Sequence, residues 1–421
     1  MSAPDRRVQP RNVVYATLSA GSAGLLLLVV MLIKWVLGIE VFGAFSWALS
    51  LATIGEALMD FGIHQVTIRS IARDPESARR IFQNTLALKA MPGVIMFVVL
   101  GGVAFVCWSD SDLRLTCLLM LVGAVLRSYL MTIRGVLLGL ERFGDESLVV
   151  VGDRVVLLAA VGLALFSGTG LIGLGLAFVG ARVVTVAGGF ALTHRQVGLP
   201  QPAFEMDLWR ELQVNALPMG AFLIVLNLYN YVDTLLLGAM RGVSEVAFYT
   251  FAYKIYEGVT YAPAILASVL TPRLSHLWAV DRQAHARLVR QGLCLTTVLA
   301  IVLGALVWIG APWGLVLVFG RDAIASVSAL RILDGGLIFV FAIWLLHATA
   351  ISVFEQRLLL TTTVIGVVAN TALNLWLIPR YGRDGAAWAT VLGEALTLAL
   401  LVIGLRRVWM TTARGEDVPA R

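Results

Sequence analysis

Apolar runs of about twenty residues recur along the whole chain, separated by short polar connections. That is the length at which an α-helix crosses the hydrocarbon core of a bilayer. The pattern predicts twelve helices, over residues 13–37, 42–62, 82–108, 115–138, 147–166, 170–192, 212–238, 246–270, 291–318, 327–353, 358–378 and 385–405. Some connections are very short, such as GIEV at 38–41 and SDSD at 109–112, and longer ones fall near 63–81, 193–211 and 271–290. The segments 63–81 and 271–290 are amphipathic and predict short helices lying at the membrane interface. The run 12–38 is too long for a signal-peptide core and no small-residue cleavage site follows it, so it reads as a retained first helix.

The runs repeat. Shifted by 204 positions, FGAFSWALSLATIGEALMDFGIHQVTIRSIAR from Phe42 lies on VAFYTFAYKIYEGVTYAPAILASVLTPRLSHL from Val246, setting Trp47 on Phe251, Ala48 on Ala252 and Arg69 on Arg273. GLGLAFVGARVVTVAGG from Gly173 likewise echoes GAAWATVLGEALTLALL from Gly385, with Ala177 on Ala389 and Thr185 on Thr397. Each half then holds six helices running in the same direction, a parallel repeat. The expected fold is an all-α polytopic membrane protein, with two six-helix lobes around a central cavity. The lobes are expected at 1–192 and 212–421, the latter with a short tail, joined by a linker at 193–211.

Composition agrees with a lipid environment: the 421 residues are 59% hydrophobic and 14% charged, with a mean hydropathy of +0.87. A soluble surface needs more charge. The net charge of +6 then reflects loop bias rather than nucleic-acid binding. Twenty cations fall in one set of alternate connections and the tails, and five (Arg114, Arg241, Arg321, Arg380 and Arg383) in the other set. The excess places both termini in the cytoplasm. Cys107, Cys117 and Cys294 have no metal-ligand spacing, and His64, His194, His276 and His285 form no metal or nucleophile pattern. No metal or cofactor is expected.

Charges inside spans are the chemistry of interest. Lys34, Lys89, Arg127, Arg154, Arg182, Lys254 and Arg331 lie in or at the edge of helices, as do Glu56, Asp60, Asp153, Asp233, Glu257, Asp334 and Glu394. Each needs a partner, a wet cavity or the interface, because an unpaired charge at mid-bilayer costs about 3 kcal/mol or more. Asp153 and Arg154 are adjacent and need separate partners; Arg331 and Asp334 are one turn apart and can pair locally; Asp60 lies near Arg69. Deep cations can instead line a cavity for a diphosphate. Tyr249, Tyr253 and Tyr256 share a face that suits either sugar stacking or an interfacial belt. Asn227, Asn230, Asn370 and Asn374 suit helix–helix bonding or a lumen.

Five segments carry a family resemblance: GIEVFGAFSWALSL, DFGIHQVTIRSIAR, RGVLLGLERF, YVDTLLLGAMRGVSEVAFYTFAYKI and LIPRYGRDGAAWATVLGEAL. In this order and spacing the chain resembles the polysaccharide/oligosaccharide (O-antigen type) flippases of the multidrug/oligosaccharidyl-lipid/polysaccharide exporter superfamily. The resemblance implies translocation of a polyprenyl-diphosphate-linked oligosaccharide across a bacterial inner membrane by alternating access, for O-antigen, capsule or exopolysaccharide synthesis. It implies a lipid-linked oligosaccharide as substrate, contact with membrane lipid, and a polymerase or glycosyltransferases as partners. Some members have fourteen spans where this pattern shows twelve. Lys34, Arg127, Arg182 and Lys254 are the candidate substrate-binding cations, and Glu56, Asp60, Asp233 and Glu257 the candidate coupling or gating acids. The competing readings are a multidrug or other lipid-precursor exporter and, from another class, a membrane glycosyl transferase or ligase. A drug exporter would place acids alone at its site. An enzyme would need a substantial outer loop with catalytic carboxylates, so no enzymatic activity is expected.

Overall fold

The computed structural model describes residues 10–198 and 201–413. Arg6, Arg7, Arg414 and Arg421, which enter the charge count, lie outside the described residues, as does the 199–200 part of the expected linker. The described residues form helices and no strand. In order these are α1 (Pro10–Gly21), α2 (Ala23–Asp60), α3 (Ile63–Arg73), α4 (Ala78–Leu88), α5 (Ala90–Cys107), α6 (Ser111–Gly139) and α7 (Phe143–Phe166). There follow α8 (Gly170–Val197), α9 (Met206–Arg241), α10 (Val243–Val280), α11 (Arg282–Phe319), α12 (Val327–Gly335), α13 (Leu337–Ser352) and α14 (Gln356–Ala413).

Length and composition alone pick out eight membrane-crossing candidates, or nine when the pair bent by 43° between α12 and α13 counts as one. Two of the eight, Thr17–Asp60 and Arg357–Val408, are each long enough for two crossings. Both are divided by a glycine with non-helical angles, Gly38 in α2 and Gly382 in α14. Adding α10, in which Lys254, Glu257 and several tyrosines dilute the apolar run, gives the twelve crossings expected. GIEV is therefore a one-residue corner at Gly38 between two crossings rather than a four-residue loop. No separate helix forms at 271–290 either: α10 runs on to Val280, and Asp281 caps α11 directly by accepting from the Ala284 N–H at 2.9 Å. The expected amphipathic helix after Asp60 does form as α3, with Ile63, Val66 and Ile71 buried and Arg69 and Arg73 outward.

The repeat is visible in the backbone. Gly38 has φ 81° and ψ −173°, and Gly242, 204 positions later, has φ 91° and ψ 173°. Gly170 and Gly382, 212 positions apart, also share positive φ, at 64° and 56°. These angles are open to glycine and strained for other residues, so each shift puts the same obligatory corner at the same place. Burial repeats as well. Trp47 and Phe251 are both fully buried, as are Ala48 and Ala252. Trp47 meets Trp108 edge-on at 5.5 Å, and Phe251 stacks on Phe319 at 4.6 Å.

Two compact units divide the chain, Met1–Asn227 and Leu228–Arg421, with the division inside α9. In the first unit, α6 packs on α8 and α2, and Ile71, Phe82, Leu130, Ile133 and Leu137 form part of its core. The turn at Phe61 and Gly62 meets Gly220 of α9 so closely that a Cβ on Gly62 would lie 2.7 Å from the Gly220 nitrogen. The start of α9 is clamped to α4. Arg80 donates to Glu205 at 2.8 and 2.5 Å, and Asn84 bonds Glu205 through its side-chain amide and its oxygen, which also accepts from Trp209 Nε1 at 3.1 Å. Arg80 holds the Glu205 carboxyl below its ordinary range, mainly through these hydrogen bonds. In the second unit α13 packs on α10, α11 and α14, with Leu346, Ala350, Leu401 and Leu405 between α13 and α14.

Several local pairings differ from expectation. Asp60 pairs not with Arg69 but with Lys89, whose fully buried Nζ donates to Asp60 Oδ1 at 2.6 Å and to Ser128 O and Oγ at 2.9 and 3.0 Å. Arg331 lies over the Trp308 ring at 5.1 Å, while Asp334 Oδ1 is buried without a hydrogen-bond partner, so no local pair forms. Sequence spacing allowed both pairings, but each side chain turns to the helix packed against it. His64 and His285 are buried: His64 Nδ1 lies 2.8 Å from Met131 O and His285 Nε2 3.0 Å from Ser352 Oγ. Asn374 bonds Asn370 Oδ1 at 2.9 Å within one helix instead of bridging two.

Candidate functional site

In the first unit the deep charges form a chain. Arg127 of α6 donates from Nε to Glu56 Oε2 of α2 at 2.6 Å, and its Nη1 lies 3.8 Å from Asp153 Oδ2 of α7. Asp153 Oδ1 accepts from Arg182 of α8 and from Thr185 Oγ1, the latter at 3.1 Å. Glu56, Arg127, Asp153 and Arg182 thus tie α2, α6, α7 and α8 together. A second pair is local to the α6–α7 hairpin, where Arg134 Nε and Nη2 donate to Glu146 Oε1 at 2.9 and 2.6 Å. Pairing offsets the loss of hydration that would exclude these groups from an apolar interior. The pairs differ in access: Arg182 and Asp153 are buried, whereas the Arg127 side chain keeps 27% of its surface exposed. Arg127 is therefore the more exposed of the two guanidinium groups in the chain.

The other shortlisted residues are placed as follows. Lys34 is buried four residues before the Gly38 kink, with Nζ 4.9 Å from the Trp35 ring centre. Lys254 donates to Glu257 Oε2 at 2.7 Å, one turn away, with about a third of each side chain exposed. A candidate substrate cation and a candidate coupling acid therefore neutralise each other. Asp60 is engaged by Lys89, in an ion pair distinct from that of Glu56 and Arg127.

The second unit is built differently. Asp233 of α9 is buried and accepts from Tyr249 Oη and from the Thr234 N–H, and Tyr249 Oη lies 3.3 Å from Thr390 Oγ1. Tyr256 donates to Glu394 Oε1 at 2.5 Å, while Glu394 Oε2 is buried with no hydrogen-bond partner. The ion pairs Lys254–Glu257 and Arg383–Glu245 of this unit leave both carboxyls out. Tyrosine hydroxyls therefore bond these acids where guanidinium groups bond Glu56, Glu146 and Asp153 of the first unit. Tyr249 and Tyr256 are buried as donors to carboxyls, so neither stacks on a sugar nor sits in an interfacial belt; Tyr261, 62% exposed, is free to do so.

Glu394, Tyr256 and Thr390 were not on the shortlist, yet the repeat contained a signal for the first. The 212-residue shift that aligns Thr185 with Thr397 also sets Arg182 on Glu394. The same position carries a cation in one unit and an acid in the other. Nothing in local spacing pointed to Tyr256, which reaches Glu394 from α10, or to Thr390, which meets Tyr249 from α14.

A family model described as polysaccharide biosynthesis protein matches residues 10–278, and one described as lipid II flippase MurJ matches residues 261–416. Among curated proteins, the "probable low-salt glycan biosynthesis flippase Agl15" of Haloferax volcanii is 24% identical over 90% of this chain and 79% of its own length. The "probable flippase AglR" of the same organism is 31% identical over 44% of this chain, and the match spans only 39% of that relative. Among solved structures, the lipid II flippase MurJ in an inward closed conformation superposes with a TM-score of 0.75 at 12% identity, covering 94% of this chain and 87% of that one. At that identity the likeness speaks for the fold. The chain belongs to the polysaccharide biosynthesis protein family and is a multi-pass membrane protein of the flippase type rather than an enzyme.

Proposed function

We propose that the chain moves a polyprenyl-diphosphate-linked oligosaccharide between leaflets of a bacterial inner membrane by alternating access, serving O-antigen, capsule or exopolysaccharide synthesis. The observation that carries this reading is Arg127, a mid-span guanidinium held by Glu56 at 2.6 Å yet still partly exposed. Phosphate oxygens match a guanidinium fork as well as a carboxylate does, so a diphosphate can take over that fork without stranding a bare charge. Lys254 offers the corresponding cation in the second unit, released from Glu257 in the same exchange. Arg182, committed to Asp153, holds the chain of pairs in place, and Lys34 adds positive charge near the Gly38 kink. Asp233 is the coupling acid, because among the described residues its partners are hydroxyl and backbone N–H donors rather than a cation, an environment that suits a proton or a monovalent cation. Glycosyltransferases and a polymerase supply and consume the glycan, and the lobes 1–192 and 212–421 move about the 193–211 linker.

The test is leaflet translocation of a fluorescent polyprenyl-diphosphate oligosaccharide in proteoliposomes. Arg127→Gln and Lys254→Gln are expected to abolish transfer while the protein remains folded and inserted, and Asp233→Asn to uncouple it from an ion gradient. Full activity in both cation variants would refute the proposal.

A further inference from the structure

Charge is not shared evenly between the two ends of the second unit. At the end where α10 gives way to α11 and α13 to α14, one apolar cluster holds Trp278, Leu293, Val353, Leu358 and Leu405, and His285 Nε2 lies 3.0 Å from Ser352 Oγ. These contacts bring the close of α10, the start of α11 and both termini of α14 to one surface. Seven exposed arginines stand there, four of them between 273 and 290 and the others Arg357, Arg406 and Arg407, against two acids, Asp281 and Glu355, among the described residues. Seven against two leaves a surplus of five positive charges. Asp281 is engaged in capping α11, and neither acid forms an ion pair among the described residues. At the opposite end of the unit four arginines meet three acids, and Arg383 pairs there with Glu245.

A bias of cations to one end orients membrane helices, so the surplus alone has an ordinary explanation. The side chain standing among those cations does not. Phe354, in the turn between α13 and α14, has φ 63° and is 80% exposed. Its N–H donates to Ile351 O at 3.2 Å and the Glu355 N–H to Ala350 O at 3.0 Å, closing α13 at the left-handed position that glycine usually takes. A bulky ring is strained in that conformation, and this one is held away from the unit it belongs to. Val280, 71% exposed, ends α10 at the same surface. Apolar side chains aimed outward among surplus guanidinium groups gain nothing from water. At a bilayer interface the ring sits just below the headgroups while the guanidinium groups meet phosphate oxygens.

We propose that this end of the second unit is a docking surface for anionic phospholipid headgroups. Phe354 and Val280 seat at the boundary of the acyl chains. Arg282 and Arg357, at the starts of α11 and α14, bind the headgroup phosphates, and Arg282 is preset for this by lying over the Trp278 ring at 4.9 Å. The surplus of positive charge selects anionic over zwitterionic lipid. The surface concerns the bilayer around the protein and is independent of the cargo it carries.

Native mass spectrometry of the full-length protein in neutral detergent, titrated with phosphatidylglycerol or phosphatidylcholine, tests it. Wild-type protein is expected to retain phosphatidylglycerol at lower concentration than phosphatidylcholine, with a margin that shrinks as salt rises. Arg282→Gln/Arg357→Gln is expected to weaken phosphatidylglycerol binding by about fivefold for each charge removed. Phe354→Gly separates docking from folding. Taking the ring off a strained turn is expected to leave the midpoint of thermal unfolding in lipid-free detergent unchanged or higher, with a loss of affinity for phosphatidylglycerol. Equal retention of the two lipids, or wild-type phosphatidylglycerol binding in either variant, overturns the proposal. A fall in thermal stability of Phe354→Gly overturns it too, because the ring would then serve the fold. Polyglutamate bound through Arg282 and Arg357, with no preference for phosphatidylglycerol, would assign the surface to an acidic protein instead.

Discussion

Lys89 and Asp60 offer the sharpest test of how this fold tolerates charge. The ammonium has no exposed surface, the carboxylate keeps 12% of its own, and the two lie 2.6 Å apart. With an effective dielectric of about 20, attraction at that distance is about 6 kcal/mol, and desolvation of both groups takes back much of it. Removing one partner is different, because the other is stranded. In Asp60→Asn the ammonium keeps its bonds to Ser128 O and Oγ and loses its counter-charge. The expected destabilisation is about 3–5 kcal/mol, a hundredfold or more in the folded fraction. The double variant Asp60→Asn/Lys89→Met removes both charges and fills similar volume, so it is expected to recover most of that loss. Reversible unfolding in mixed micelles, followed by tryptophan fluorescence, measures all three proteins. A single variant as stable as the wild type, or a double variant no better than the single, would show that water reaches Lys89 and that the pair is not buried in the sense argued.

Two further outcomes follow from backbone contacts. Gly220→Ala pushes a methyl into the Phe61 backbone and is expected to cost several kcal/mol or prevent folded insertion, whereas Gly102→Ala, with nothing within 4 Å, is expected to change stability by about 1 kcal/mol or less; membrane yield and thermal unfolding compare them. Asn84→Ala removes three bonds from the clamp and is expected to open residues 201–205 to limited proteolysis. Since Glu205 has its carboxyl held below its ordinary range, the clamp's contribution is full above that range and fades as pH falls through it, so wild-type cleavage should rise on acidification and cleavage of Asn84→Ala should change less.

Much of the architecture was legible because lipid imposes a simple rule: every crossing needs an apolar run of fixed length. The repeat was legible for a related reason, since Trp47 and Phe251 fill equivalent buried positions with similar rings. The Gly38 and Gly382 corners were not, because a positive-φ glycine reverses the chain in one residue where a polar segment suggests a loop. Pairings were harder still. That Asp153 and Arg154 require different partners follows from their adjacency, but that Arg182 serves one and nothing within hydrogen-bond reach serves Arg154 Nε depends on how α7 is rotated against α8. Asp60 shows the same limit, since Lys89 reaches it from 29 residues away. Periodicity says which residues face inward, and only packing says whom they meet.

The glycine corners carry a practical consequence. Gly38, Gly242 and Gly382 each join two crossings. Each of these turnings is a single residue with no side chain. An antibody or nanobody raised against one would find helix ends rather than a loop, and an epitope inserted at any of these glycines would have to break a backbone angle to fit. In the first unit, the segment around α3 and the Arg80–Glu205 clamp is the place to attach a fiducial for imaging, provided the attachment spares Asn84.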